Sequence, residues 1–214
     1  PAGNIPLVSG HKGPVLDLAW NPFNDNILAT VSEDCYGRIW QIPQGGLTEN
    51  LEEPVQILKG HKRKIGQVKF NPVADNLVAT ASADFQFKVW DITSGADVLT
   101  TGGPSDLIQS LNWNENGSLL AATAKDKKFR VIDPRKQEVA MEGAGHLGVK
   151  GSRCCWLDGH DKLFTVGFTR SSEREYMLHD PRDLTKPLLR AGIDSSSGVL
   201  CPFFDRDTSM LYLG

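Results

Sequence analysis

Apolar and polar positions alternate with period two in short runs along this chain, and the runs recur. Leu16, Leu18 and Trp20 alternate with Val15, Asp17 and Ala19; further on, Val68 and Phe70 alternate with Gln67 and Lys69, and Leu111 and Trp113 with Ser110 and Asn112. Period two is the spacing of a strand, whose successive side chains point to opposite faces. Each run therefore predicts a strand, and each is followed by Asn, Pro, Asp and Gly turn residues, at 21–26, 71–76 and 114–118. A strand of small apolar residues comes next, at 27–32, 77–82 and 120–124. A tight turn holding Asp34, Asp84 or Asp126 leads to a third strand, at 36–42, 86–92 and 128–133. Short fourth strands are expected at 55–58, 97–100, 138–141 and 188–190. Helical periodicity is absent, and residues 43–54, with two glycines between flanking prolines, read as a surface loop.

Sliding the chain by 50 positions superposes these units without a gap. Gly10-His11 falls on Gly60-His61, Asn21-Pro22 on Asn71-Pro72, Ala29-Thr30 on Ala79-Thr80, Ser32 on Ser82, Asp34 on Asp84 and Trp40 on Trp90. A third copy keeps Ala122-Thr123, Asp126 and Arg130 to Asp133, but has Ile132 at the tryptophan place. A fourth keeps Gly145-His146 and has His179 there, and a fifth begins near Val199. The tryptophan place recurs after 50, 42 and 47 residues (40 to 90, 90 to 132, 132 to 179), spacings that loop insertions absorb.

Repeats of ~40–45 residues with four strands, Gly-His near the start and Trp-Asp near the end resemble the WD-repeat β-propeller. The fold class expected is all-β, with about four complete four-stranded blades and partial blades at both ends, a fragment of a propeller for which the family norm is seven. The blades fall at 15–58, 65–100, 108–141 and 152–190, with a partial one at 198–214, in a single partial domain over 1–214. Leu7 to Ser9 then reads as the outer strand of a preceding blade. The resemblance implies a buried hydrogen-bond relay in each well-kept repeat, made by His11, Ser32, Asp34 and Trp40, and again by His61, Ser82, Asp84 and Trp90. The chemistry is sensible: a buried indole N–H needs an acceptor, a serine hydroxyl supplies one, and an Asp takes the other imidazole N–H. The third and fourth blades, short of relay residues, are expected to rest on apolar packing.

Composition narrows the function classes. The chain has 214 residues, a net charge of −3, 40% hydrophobic and 23% charged residues, 21 Gly and 12 Pro. It is not a polycation suited to nucleic acid, and no apolar run reaches the ~18 residues of a membrane span. It starts at Pro1 without a visible signal peptide and stops at Gly214 just after an apolar stretch, so both ends read as cuts. Cys35, Cys154, Cys155 and Cys201 form no Cys-x-x-Cys pair and read as reduced thiols, with no metal site. No Gly-x-Ser-x-Gly elbow accompanies the Ser/His/Asp sets, and a set that recurs fifty residues on is not a unique active site. No phosphate-loop Gly-Lys-Ser/Thr is present either. No enzyme and no cofactor is expected.

Several stretches are more specific than the repeat. Ser32-Glu33-Asp34 continuing to Ile39-Trp40-Gln41-Ile42-Pro43, Gly46-Leu47-Thr48, KDKKFRVIDPRK at 125–136, FTVGFTRSSER at 164–174 and GVLCPFFDRDTSMLYL at 198–213 resemble coronin segments, in coronin order. The resemblance implies a cytoplasmic protein of the actin cytoskeleton and cell cortex that binds actin filaments. In many members it also restrains or recruits the branched-actin nucleating complex, and it oligomerises through a C-terminal coiled coil that is absent here. The alternative is a WD-repeat adaptor of another complex. Two basic clusters, Lys62-Arg63-Lys64 and Lys125, Lys127 and Lys128, are the candidate partner-binding residues. The Gly-His loop and the turn before the third strand open onto one propeller face, so both clusters are expected on it.

Overall fold

The computed structural model describes residues 5–214, and every regular element among them is a strand. The chain divides after Thr100 into two compact units.

In the first unit, β1 (Val15–Trp20), β2 (Ile27–Ser32), β3 (Tyr36–Gln41) and β4 (Gln56–Lys59) form one antiparallel sheet. The second comprises β5 (Ile65–Phe70), β6 (Leu77–Ser82), β7 (Phe87–Asp91) and β8 (Asp97–Thr101). Neighbours in sequence are neighbours in the sheet, because each turn is short and carries its own chemistry. The Asn21 side-chain oxygen accepts from the Phe23 and Asn24 N–H groups, and Asn71 repeats this with Val73 and Ala74. The next turn in each sheet puts Cys35 or Phe85 in the left-handed region, at φ 70° and 65°. A register shift between Val15 and Asp17, and again between Ile65 and Gln67, bends the first strand of each sheet. The sheets meet through Ala29, Val31, Ile39 and Leu58 on one side and Ile65, Val68, Phe70, Val78 and Trp90 on the other. A polar tie crosses the same junction, where the Val68 N–H donates to Asp17 at 3.0 Å.

The alternation of β1 sorts into two unlike faces. Ala19 packs against the junction, whereas Leu18 and Trp20 are 53% and 52% exposed. Fifty positions on, Val68 and Phe70 are 0% and 8% exposed. The same strand pattern is thus buried where a preceding sheet covers it and open where none does. Leu7 to Ser9, expected as an outer strand, makes a parallel bridge from Val8 to Leu51, with Ser9 N–H donating to the Leu51 carbonyl at 3.0 Å.

In the second unit, β9 (Ile108–Trp113), β10 (Leu120–Ala124), β11 (Lys128–Asp133) and β12 (Glu138–Ala144) form one sheet. β13 (Arg153–Leu157), β14 (Lys162–Phe168), β15 (Arg174–His179) and β16 (Leu189–Asp194) form the next, and β17 (Pro202–Asp205) and β18 (Met210–Leu213) make a hairpin. The fourth strands β12 and β16 run three and four residues past the expected 141 and 190, because backbone pairing continues through Gly143 and Gly192, where no side-chain pattern marks it. Ala121, Phe129 and Val131 pack on Cys154, Trp156 and Leu163. Asn112 accepts from the Trp156 backbone N–H at 3.1 Å through its side chain and from the indole at 3.2 Å through its carbonyl. Burial pushes the Cys154 and Cys155 thiols up to about 12 and about 11, so both stay protonated.

Leu58, 1% exposed at the junction of the first two sheets, supplies the first prediction. Leu58→Ala is expected to lower unfolding free energy by about 2–5 kcal/mol, against less than about 0.5 kcal/mol for Leu18→Ala, both read from urea midpoints.

Candidate functional site: buried relays and the loops they pin

The tryptophan indoles are buried in β3 and β7, and each donates to a threonine. Trp40 Nε1 lies 2.8 Å from Thr30 Oγ1, and Trp90 Nε1 lies 2.8 Å from Thr80 Oγ1. The same hydroxyls meet His11 Nε2 at 2.7 Å and His61 Nε2 at 2.8 Å. The imidazole Nδ1 atoms reach Asp34 and Asp84 at 3.0 and 2.9 Å. One assignment runs through both relays: indole N–H to threonine oxygen, threonine O–H to His Nε2, His Nδ1–H to carboxylate; in the first, the Arg38 guanidinium also crowds His11 Nδ1 beside the shared Asp34.

This corrects the expected relay at one member. Ser32 and Ser82 do not accept from the indoles. Their hydroxyls donate to the Gly13 and Arg63 carbonyls at 3.0 and 2.9 Å, and accept from the Asp34 and Asp84 N–H groups. Thr30 and Ser32 point to the same face of β2, but they stand ~6.6 Å apart along it, and the indole reaches only the threonine. A signal was present in the sequence, since Thr30, Thr80 and Thr123 recur in register.

Buried cations two residues before three of the four tryptophan places were also missed: Arg38, Lys88 and Arg130. Arg38 bonds Asp34 at 2.8 Å, Lys88 bonds Asp97 at 2.6 Å, and Arg130 bonds Asp126 at 2.7 Å and Glu142 at 2.8 Å. In the sheet of β9 to β12, which has Ile132 in place of tryptophan, this ion pair takes the relay's place. The sheet of β13 to β16 has a relay of its own beside its apolar core. There His146 Nδ1 lies 3.0 Å from Glu175, and its Nε2 lies 3.0 Å from Thr165, whose hydroxyl also meets His179 Nε2 at 3.4 Å. The acid has moved from the turn onto β15, where no turn motif marks it.

Relay carboxylates carry the loops. Asp34 accepts from the Lys12 and Tyr36 N–H groups, and Asp84 from those of Lys62 and Gln86. Burial by itself would raise the Asp34 carboxyl, but the bonds from Lys12, His11, Arg38 and Tyr36 outweigh it and hold the group well below the usual carboxylate range. Asp84 is lowered against the same burial by Lys62, His61 and Gln86. Burial is the largest effect on His11 and His61 and lowers both, against the opposing pull of their carboxylates.

The basic run is fixed at every residue. Lys62 N–H bonds Asp84, the Arg63 carbonyl takes the Ser82 hydroxyl, and the Lys64 carbonyl takes the Ala83 N–H at 2.9 Å. All three side chains are exposed. Lys64 pairs with Glu33 at 3.1 Å, while Lys62 and Arg63 have no side-chain partner among the described residues. In the second unit Asp126 accepts from the Ser105 and Lys128 N–H groups, and the Lys127 carbonyl from Gly145. This holds Lys127, at φ 65°, at the tip of its turn. Lys128 pairs with Glu142, while the Lys125 and Lys127 ammonium groups have no partner among the described residues. A groove of about 670 Å³ beside β16 pairs Arg174 with Asp194 and Arg190 with Glu175. Among the described residues no three His, Cys, Asp or Glu side chains group to hold a metal.

Residues 4–41, 52–91 and 95–133 match the WD domain, G-beta repeat family. The chain is 58% identical over 210 residues to Coronin-A of Dictyostelium discoideum, covering 98% of this chain and 47% of that protein. The chain therefore spans about half that relative's length. The crystal structure of the WD40 domain from Toxoplasma gondii coronin superposes with a TM-score of 0.93 at 34% identity, over 96% of this chain and 54% of that one. The fold is that of the WD-repeat β-propeller.

Two predictions test the relay. Thr30→Val, which keeps the shape and removes the hydroxyl, strands a buried indole N–H and is expected to cost about 1–3 kcal/mol in urea unfolding; Ser32→Ala should leave the Trp40 emission maximum unmoved. The lowered carboxyls contribute stability that is complete above their ordinary unfolded value of about 4 and is lost as pH falls through and below it. Unfolding midpoints should therefore drop below about pH 4, and Asp34→Asn should make that drop shallower.

Proposed function

This chain belongs to the WD-repeat family and is a coronin homologue, and from that premise we propose that it binds actin filaments as a non-catalytic scaffold, through charged loops rather than a reactive pocket. The observation that carries the reading is the Lys62-Arg63 pair. Two exposed cations without side-chain partners among the described residues sit on a loop whose backbone is bonded at each residue to the turn beside it. Such a loop presents charge in one geometry, so docking an acidic filament costs little ordering entropy. Lys125 and Lys127 offer the same chemistry on the turn before β11. Lys64 and Lys128 contribute less, each being neutralised by a glutamate.

Coronin homology supports the finer parts of the proposal as well: regulation of filament dynamics at the cell cortex, contact with the branched-actin nucleating complex, and oligomerisation through a coiled coil outside these residues. The buried relays favour a scaffold over a hydrolase. His11, His61 and His146 are each held between a carboxylate and a threonine that is itself committed to an indole or a second imidazole.

Filament co-sedimentation of the full-length protein tests the reading. Screening shortens from ~30 Å at low salt to ~8 Å at physiological ionic strength, so wild-type affinity should fall with added salt. Lys62→Glu with Arg63→Glu should weaken low-salt binding by about tenfold or more, Lys125→Glu with Lys127→Glu by a similar factor, and Lys64→Glu by less. Undiminished low-salt binding in the first variant would remove this loop from the account.

A further inference from the structure

Three imidazoles in the chain end on a carboxylate: His11 on Asp34, His61 on Asp84 and His146 on Glu175. A fourth, His179, does not. It occupies the place of Trp40 and Trp90, it is 0% exposed, and its ring lies against Phe129 with centroids 4.2 Å apart. Its Nε2 shares the Thr165 hydroxyl with His146 Nε2, at 3.4 and 3.0 Å.

The hydroxyl has one proton, which fixes the rest. His146 Nδ1–H is committed to Glu175, so His146 Nε2 must accept, and the Thr165 O–H donates to it. His179 then has to supply its own Nε2–H, as the indoles do. Its Nδ1 is left as a lone pair, and this atom is buried without a partner. A second proton on His179 would create a buried N–H facing no acceptor. The groups around the ring offer none: Phe129 from β11, Thr165 and Leu163 from β14, and His146 from the loop before β13. Glu175, on its own strand, is already bonded to His146 and Arg190. Asp180, next in the chain, is bonded to Arg182 and paired with Lys162. His146 cannot turn aside, because its ring fills the space left by the missing side chain of Gly167.

We propose that the sheet of β13 to β16 is an acid-sensitive joint, in which a proton on the unpartnered His179 Nδ1, buried with no acceptor, favours an opened state that gives up the His146–Thr165–His179 chain and releases the loop 145–151 ahead of the tryptophan-bearing sheets. That loop carries Val149, 74% exposed, and Lys150, so its release would alter a partner-facing rim. Burial pushes His179 down to about 4, with His146 adding to the effect, and burial lowers His146 too, against the pull of Glu175. Both folded values lie below the ordinary one near 6.5. The unfolded or opened state therefore takes the proton more readily, and the stability these rings contribute is complete above pH about 6.5 and is lost as pH falls toward about 4. His11 and His61 are lowered as well, but each imidazolium would lie against an ionised carboxylate, which His179 lacks.

Peptide-resolved hydrogen exchange of the full-length protein, corrected for intrinsic rate, tests the joint. Peptides spanning 145–151 and 163–168 should gain exchange by about tenfold between pH about 6.5 and 5, with a smaller gain over 77–82. His179→Trp, which restores an indole donor that does not titrate, should abolish the gain. Should that bulkier side chain prevent folding, imidazole C2–H exchange of the wild-type protein across pH gives the answer directly, with the His179 midpoint expected below the ordinary histidine value. Equal loosening in His179→Trp, pH-independent exchange across the joint, or an ordinary His179 midpoint would each overturn the proposal.

Discussion

A buried indole N–H must find an acceptor, and in this chain a threonine two residues before the familiar serine provides it. The rest follows from that bond. The threonine, having accepted, points its own proton at a histidine, and the histidine points its other nitrogen at an Asp in the next turn. Ionised, that Asp takes two backbone N–H groups, one from the Gly-His loop and one from the strand after the turn. A single chain of proton donors thus ties four segments that are far apart in sequence, and it ends where charged side chains reach solvent. Inside a dry core each link is strong because the alternative is an unpaired polar group.

Repeats that lost a relay member kept its place and changed its chemistry. With Ile132 in the tryptophan position, Arg130 and Asp126 carry the load as an ion pair, and Asp126 still gathers the Ser105 and Lys128 N–H groups. With His179 there, the acid shifts to β15 and a second imidazole stands in for the indole. Apolar packing alone would leave the turns free, since Phe129, Val131 and Leu163 lie below them and bond none of their backbone groups. Common to the first three sheets is an Asp that gathers backbone N–H groups at the loop-bearing end; in the fourth, Glu175 gathers the His146 and Arg190 side chains instead.

Much of this was legible in the sequence, for physical reasons. Strand alternation and Asn- or Asp-bearing turns are local, so the order of strands and the repeat could be read from residue types. The relay serine was misassigned because Thr30 and Ser32 share a face of β2, and residue type and spacing do not distinguish them; only reach along the strand does. Arg38, Lys88 and Arg130 were passed over because a cation in a strand ordinarily faces water, although their recurrence in register was there to be seen. Glu175 could not be found by turn spacing, since it lies on a strand. The exposure of Leu18 and Trp20 is not local at all: the same pattern is covered in Val68 and Phe70, and what differs is the neighbour.

For function, the relay matters as a fastening. It commits the Ser, His and Asp side chains that would otherwise suggest hydrolysis, and it holds Lys62 and Arg63 outward on a short, bonded segment, as the Arg130–Asp126 pair does for the turn of Lys125 and Lys127. The central claim is that indole and threonine are energetically coupled inside each well-kept sheet. A double-mutant cycle on Thr80→Val and Trp90→Phe, read from urea unfolding, measures that coupling most directly. The account predicts an interaction of about 1 kcal/mol or more; single effects that add within about 0.3 kcal/mol would contradict it.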